Sequence, residues 1–370
     1  MTDTLDTTSN DNKITFSSDS EDPTIDWSVV AKTASRFSKN GDELLKSQLD
    51  SLVEDFAEVT PVAEKLVENE TGLVSLIGPA RGKVATREIW INANIASFKR
   101  IYSLVIKNLV EDISENALLK VSRSLTGFQV GVVLGWMSKR VLGQYDLLLS
   151  ENDHPEEQDM VYFVGSNILR LENQFAFPPR QFRLWLAIHE LTHRAQFTGV
   201  SWMRDYFKSL ITTGLGGIAP STQQLQEILQ RLVKDIRSGK NPLENSGLIG
   251  IFATEEQLQV FAKVQGLMSL LEGHGDVIMN SAAKELIPEA ERFDRILHNR
   301  RSSAKGATKL IQQLLGFEAK LKQYAQGEKF IQAVISQTSI EFFNKVWLDS
   351  QNIPTFEEIK NPQLWINRIS

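Results

Sequence analysis

The segment His189-Glu190-Leu191-Thr192-His193 combines two metal-binding side chains and a base. Residues four apart on an α-helix share one face, so His189 and His193 can direct ring nitrogens at one metal ion. Glu190 is rotated by about 100° from His189, so its carboxylate can reach a metal-coordinated water from outside the ligand set. This arrangement is typical of zinc-assisted hydrolysis with Glu190 as general base. With only five histidines in 370 residues, chance placement predicts roughly 0.005 copies of the pattern.

The surrounding residues predict that this motif lies in the middle of a helix. Pro178-Pro179 forces an extended backbone just before the helix. Gly199 is a candidate residue for ending the helix in the left-handed conformation. Between them runs an apolar stripe that would face the core. Its members are Phe182, Trp185, Leu186, Ile188, Leu191 and Ala195.

Catalytic zinc usually has three protein ligands, so a third must come from elsewhere in the chain. The metzincin pattern is excluded, because the chain has Gln196 and Gly199 where that pattern needs Gly and His. The better candidate is Glu272, with Asp276 four residues later on a second predicted helix. In this pattern Glu272 binds zinc, while Asp276 accepts the outer N–H of a ligating histidine, which we expect to be His189.

An acidic pair at this spacing is, by itself, more typical of a solvated helix face. The helix that carries His189 and His193, here called the metal helix, is what favours the ligand interpretation. The same predicted helix contains Gly266, Gly273 and Gly275. Each costs about 1 kcal/mol relative to alanine in a helix interior. We therefore predict that close approach to the metal helix compensates them.

The segments Phe182 to Phe197 and Glu272 to Asp276 together resemble the zincin-like hydrolases of bacteria and archaea. These proteins are often labelled zinc-dependent metalloproteases or coenzyme F420 biosynthesis-associated proteins. The resemblance implies a gluzincin-type zincin fold with His189, His193 and Glu272 as ligands and Glu190 as base. The gap between the two motifs is longer than in better-known gluzincins. Further matching stretches are Ile25 to Trp27, Val141 to Asp146 and Leu315 to Tyr324.

The predicted fold class is mainly α with a small β-sheet, in a zincin-like metalloprotease fold. We interpret residues 1–24 as a disordered acidic tail, 25–141 as a helical region and 142–370 as the catalytic region, packed with 25–141 into one unit. The apolar runs Tyr145 to Leu149 and Met160 to Val164 predict a β-hairpin. Met160 to Val164 is either an edge strand beside the metal helix or a packed interior strand.

Two glycine-containing segments have other interpretations. Gly127, Gly131 and Gly135 recur every four residues in an apolar run that is too short to span a bilayer. They predict a groove for close helix packing. Gly78 to Lys83 resembles a phosphate loop faintly, but its glycines are one residue too close and Val84 replaces the needed hydroxyl.

Composition excludes several functional classes. The net charge of −6 argues against a nucleic-acid partner. The absence of cysteine removes disulfides and thiolate zinc sites, so the metal must be held by nitrogen and oxygen. The N-terminal residues contain neither a basic region nor an apolar segment of the kind found in signal peptides. We therefore expect a cytoplasmic protein without a membrane partner.

These features predict a hydrolase with one zinc ion, most simply a metallopeptidase acting on a peptide or amide substrate. A zinc-activated water would attack the carbonyl while Glu190 accepts its proton. Tyr324 and His274 are candidate donors for the oxyanion. His274 would project away from the site on a regular helix, so Tyr324 is preferred. The alternative is a zincin-fold protein that binds metal or a partner without turnover.

Overall fold

A computed structural model describes residues 25–39, 44–106, 117–147, 159–215, 255–282, 286–302 and 317–370. It confirms the predicted fold class, because helices dominate and the strands form one small sheet. The helices are α1 (Trp27–Ser38), α2 (Lys46–Thr71), α3 (Arg87–Ile106), α4 (Ala117–Ser138), α5 (Gly165–Phe175), α6 (Pro179–Thr198), α7 (Met203–Leu215), α8 (Glu255–Ala282), α9 (Ala290–Ser302), α10 (Phe317–Gln337), α11 (Ile340–Phe343), α12 (Phe356–Lys360) and α13 (Pro362–Ile369).

The sheet has three strands in the order β1-β3-β2, where β1 is Arg81–Ala85, β2 is Gly143–Tyr145 and β3 is Met160–Val164. Strand β1 runs parallel to β3, and β2 runs antiparallel to it. The predicted antiparallel pairing is therefore confirmed, but its first strand is Gly143–Tyr145 and shares only Tyr145 with the predicted run. Leu148 and Leu149 of that run lie outside the described residues.

Strand β3 is the central strand, so the edge-strand interpretation of Met160 to Val164 is wrong and the interior one is right. All five of its residues are buried. A strand covered on both faces and paired on both sides has no polar alternation to reveal its neighbours. The edge strand beside α6 is β2 instead.

The repeated glycines of α4 form the predicted packing groove, and the helix that fills it is α1. A Cβ on Gly131 would lie 2.6 Å from Thr33 Cβ, and one on Gly135 would lie 2.8 Å from the Ala34 carbonyl oxygen. Such distances leave no room for a side chain, so glycine is needed for this helix spacing. The two helices pack along most of their lengths.

Among the residues that the structure describes, the buried apolar side chains form one large cluster and two smaller ones. The large cluster joins α2, α6, α8 and α10 around Phe56, Trp185, Leu271 and Phe330. A second cluster, around Trp90 and Val30, joins α1, α3 and α4 to β3. The metal helix α6 thus lies inside the main core. In the described part of the chain, no helix is both long and apolar enough to cross a membrane.

Candidate metal centre

Helix α6 positions both histidines, and its sequence explains its limits. Pro179 is its first residue and the preceding Pro178 is extended, as Pro-Pro dictates. The whole predicted apolar stripe is buried. The helix ends before Gly199 as expected, but this glycine is right-handed with φ −91°. Glycine is favoured here because there is little room for a side chain: a Cβ would lie 3.0 Å from the Val74 carbonyl oxygen.

Two buried arginines fix α6 to its surroundings. The Arg183 guanidinium donates to both carboxylate oxygens of Glu172 at 2.9 Å. Near the other end, Arg194 donates to Asp159 at 2.6 and 3.0 Å and to Glu64 at 2.7 Å. Both arginine side chains are less than 5% exposed. These charges are paired as buried charges must be, and they hold the metal helix at both ends.

The third-ligand helix α8 packs on α6, but only one of its three glycines serves that contact. A Cβ on Gly275 would lie 3.3 Å from the His189 ring. Gly273 instead meets the backbone of Gly327 in α10, and Gly266 meets the Pro354 carbonyl oxygen. The prediction that all three glycines face the metal helix is therefore wrong for two of them. Those two glycines instead make room for backbone that packs against other faces of α8.

The structure brings together the three predicted ligands His189, His193 and Glu272. The two imidazole Nε2 atoms are 3.2 Å apart. The carboxylate oxygens of Glu272 lie 4.0 Å from His189 Nε2 and 3.8 Å from His193 Nε2. The three side chains are 15–27% exposed, so the cluster is reachable from solvent.

This cluster fits a zinc ion by distance and by donor type. A tetrahedral zinc with bonds of about 2.0–2.1 Å separates its ligand atoms by about 3.4 Å. The two imidazole nitrogens are 3.2 Å apart, close to that value, and the three ligand atoms, one from each residue, lie within 4.8 Å of one another. Two imidazoles and one carboxylate are also the donor set of a catalytic zinc site that keeps a position for water.

Glu190 lies beside this cluster but is not one of its three ligands. Burial raises the pKa of its carboxyl group to about 7, with a further increase from the charge of Glu272. His193 and a hydrogen bond from the Tyr145 backbone N–H act in the opposite direction. A carboxylate with a pKa near neutrality is suited to accept and return a proton.

The charges around His193 favour a cation. Burial lowers the pKa of this imidazole, but the carboxylates of Glu272 and Glu190 and the hydrogen bond to Gln196 act in the opposite direction, and the pKa is raised. Asp276 contributes to the same increase. Asp276 therefore lies near the ligands, as expected from its position one turn beyond Glu272. The predicted hydrogen bond from His189 to Asp276 stays a prediction.

The two candidate oxyanion donors differ in what the structure describes. His274 is 2% exposed, and its ring lies against Phe343 and Trp347. Its Nδ1 is 3.0 Å from Gln196 Nε2, so this nitrogen is hydrogen-bonded within the protein. Tyr324 belongs to α10, and its side chain lies outside the described part of the chain.

Sequence reasoning missed two residues of this site. Gly143 of β2 lies against Glu190, and Gln196 of α6 contacts His193. Gly143 falls in the stretch Val141 to Asp146 that supported the family resemblance, but nothing in its spacing indicates contact with Glu190. Gln196 lies three residues after His193, a spacing at which helical side chains meet. That spacing could have predicted the contact between Gln196 and His193.

Comparisons with known proteins agree with this geometry. Residues 25–366 match a family profile described as zincin-like metallopeptidase. A crystal structure from Chloroflexus aurantiacus, described provisionally as a hydrolase with a novel fold, is similar with a TM-score of 0.68 and 29% sequence identity. The similarity covers 93% of this chain and 98% of that chain. No match is found among curated proteins.

Proposed function

The chain belongs to the zincin-like metallopeptidase family, and on this premise we propose that it is a zinc-dependent hydrolase that cleaves peptide bonds. Family membership and the hydrolase relative support zinc hydrolysis in the broad sense. The observation that carries the finer proposal is the buried carboxylate of Glu190 beside the cluster of His189, His193 and Glu272. A site that only binds a metal ion does not need a buried base beside its ligands.

In this proposal each protein group has one task. His189, His193 and Glu272 hold one zinc ion, and when bound it supplies Lewis acidity toward a water and a carbonyl. Glu190 accepts a proton from the attacking water at its carboxylate and returns it to the leaving amine. The Tyr145 backbone N–H holds that carboxylate in place.

Tyr324 is our proposed oxyanion donor. A phenol that donates a hydrogen bond to the developing negative charge stabilises the transition state more than the bound substrate. Tyr324→Phe should therefore lower kcat more than it changes KM. An equal kcat in the two proteins would remove Tyr324 from the mechanism.

A peptide substrate is supported by the open edge of β2. Backbone hydrogen bonds join Asp146 to Met160 and Val164 to Leu142, so the N–H and C=O groups of Gly143 and Tyr145 point away from β3. The Tyr145 N–H donates to Glu190, so the groups left for a substrate on this edge are the Gly143 N–H and the two carbonyl oxygens. Among the described residues, no strand pairs with that side of β2. An extended peptide can add its backbone to such an edge next to the metal helix.

The test is hydrolysis of a broad peptide library by the zinc-loaded protein. We expect cleavage that stops on chelation and returns with zinc. Glu190→Ala should abolish that cleavage while it still binds zinc. Equal rates for the two proteins, or no cleavage by either, would favour a zincin-fold protein that binds metal or a partner without turnover.

A further inference from the structure

A single buried amide joins the two helices that carry the three ligands. Gln196 of α6 is fully buried. Its Oε1 lies 3.0 Å from Nδ1 of the ligand His193. Its Nε2 lies 3.0 Å from the Leu271 carbonyl oxygen and 3.0 Å from His274 Nδ1. Leu271 and His274 are on α8, on either side of Glu272 in the sequence.

The partners of Gln196 leave one orientation for its amide. The Leu271 carbonyl oxygen can only accept a hydrogen bond, so the group facing it must be the NH₂. A flipped amide would place two acceptors 3.0 Å apart in a buried site, where an unmade hydrogen bond is costly. The NH₂ therefore donates to Leu271 and His274, and Oε1 faces His193.

This orientation determines which nitrogen of His193 carries the proton. Gln196 Oε1 can only accept, so Nδ1 of His193 is the protonated nitrogen and Nε2 keeps its lone pair. Nε2 is the atom 3.2 Å from His189 Nε2 and 3.8 Å from Glu272. The protein thus presents the ligating nitrogen of His193 in the form that a metal requires.

We propose that Gln196 is a positioning residue that sets the tautomer of His193 and the placement of Glu272 before metal binds. This inference rests on the proposed zinc site. His274 completes the arrangement, because its Nδ1 must accept from Gln196 and its ring is enclosed by Phe343 and Trp347. His274 acts through Gln196 and not on the substrate.

The first test reads the tautomer in metal-free protein by nitrogen NMR of ¹⁵N-labelled histidine, at a pH where the imidazoles are neutral. The His193 signal is identified by its loss in His193→Ala. We expect wild type to show the Nδ1-protonated form. Gln196→Met removes the acceptor and should populate the Nε2-protonated form. Gln181 is on the same helix but bound to the Glu289 backbone N–H, so Gln181→Met should keep the wild-type form.

The second test measures zinc affinity by competition with a chelator. Gln196→Met should bind zinc about 10- to 100-fold more weakly than wild type, the range seen when such supporting hydrogen bonds are lost. The matched control is Gln181→Met on the same helix. Gln181 accepts a hydrogen bond from the Glu289 backbone N–H far from the ligands, and its removal should leave zinc affinity within twofold.

The inference is overturned by an Nε2-protonated His193 in wild type, a result that does not depend on the folding of any Gln196 variant. It is also overturned if Gln196→Met keeps the wild-type tautomer or the wild-type zinc affinity. These results are independent of the proposed reaction. A zinc-loaded wild type that cleaves no peptide would remove the proposed function while leaving the tautomer and affinity results unchanged.

Discussion

Gly143 on the edge strand lies directly against the carboxylate of Glu190 on the metal helix. A Cβ placed on Gly143 would come within 2.6 Å of both Glu190 Cγ and Oε1. The neighbouring Tyr145 backbone N–H donates to the same carboxylate. The backbone of β2 therefore forms one wall around the proposed base, and a side chain at Gly143 would have to displace the Glu190 carboxylate.

Gly143→Ala should displace Glu190 without touching a zinc ligand. Misplacement of a catalytic group by about 1 Å can cost around 100-fold in rate, so we expect peptide hydrolysis to fall by about 10- to 100-fold. Zinc affinity should stay within about twofold. The control is Gly214→Ala in α7, where the added Cβ has only a 3.2 Å contact with the tip of Val260. Full activity in Gly143→Ala would show that Glu190 has room to move.

Glu272→Ala should weaken zinc binding by at least tenfold, because it removes one of three ligands from the cluster. Isothermal titration of the metal-free protein measures both affinity and stoichiometry. Glu256→Ala, at an exposed position of the same helix, should bind zinc as wild type does. Unchanged stoichiometry and affinity in Glu272→Ala would remove this residue from the ligand set.

The stability of the metal-free protein should depend on the charge of Glu190. Burial and Glu272 raise its pKa from 4.5 to about 7 in the folded state, so between these pH values the folded state binds more protons than the unfolded state. The stability contribution is complete below about pH 4.5 and is lost as the pH rises through about 7. Relative to Glu190→Gln, wild type should become less stable across this range in urea unfolding. A difference that is constant with pH would contradict the raised pKa.

Arg194→Met should destabilise the fold by about 3 kcal/mol, because the partly buried carboxylates of Asp159 and Glu64 lose their shortest ion pairs. Asp159 then keeps Arg204 at 3.7 Å, and Glu64 keeps the Ala80 backbone N–H. The control is Arg180→Met on the same helix, since Arg180 pairs with Glu58 in solvent. An exposed pair contributes about 0–1 kcal/mol. Urea unfolding compares the two, and equal losses would mean that burial does not determine the effect.

Local pattern was sufficient to predict helix α6 and the approach of His189 and His193 on one of its faces. The spacing of His189 and His193, the Pro178-Pro179 start and the buried stripe are all properties of one continuous helix. The contact of Glu272 with them joins distant segments, and the motif predicted it only because zinc requires a third ligand. The resemblance to zincin-like hydrolases, drawn from the same two motifs, is confirmed by the family match.

The missed features depend on contacts that the local sequence does not encode. Strand β1 reads Arg81-Gly82-Lys83-Val84-Ala85, which has no apolar alternation. It is extended because its backbone pairs with β3. Gln196 entered the sequence argument only as the residue that rules out metzincins. Its function becomes visible once α8 places Leu271 and His274 around it.

Helices α8 and α10 cross at Gly273 and Gly327, and this crossing affects Glu272, the residue before Gly273. A Cβ on Gly273 would lie 2.3 Å from the Gly327 carbonyl carbon. Only main-chain atoms make this contact, so a shift of α10 against α8 cannot be accommodated by a change of side-chain rotamer. Glu272 adjoins Gly273 on α8, so a shift of α8 at this crossing would also move the backbone that carries the carboxylate facing His189 and His193.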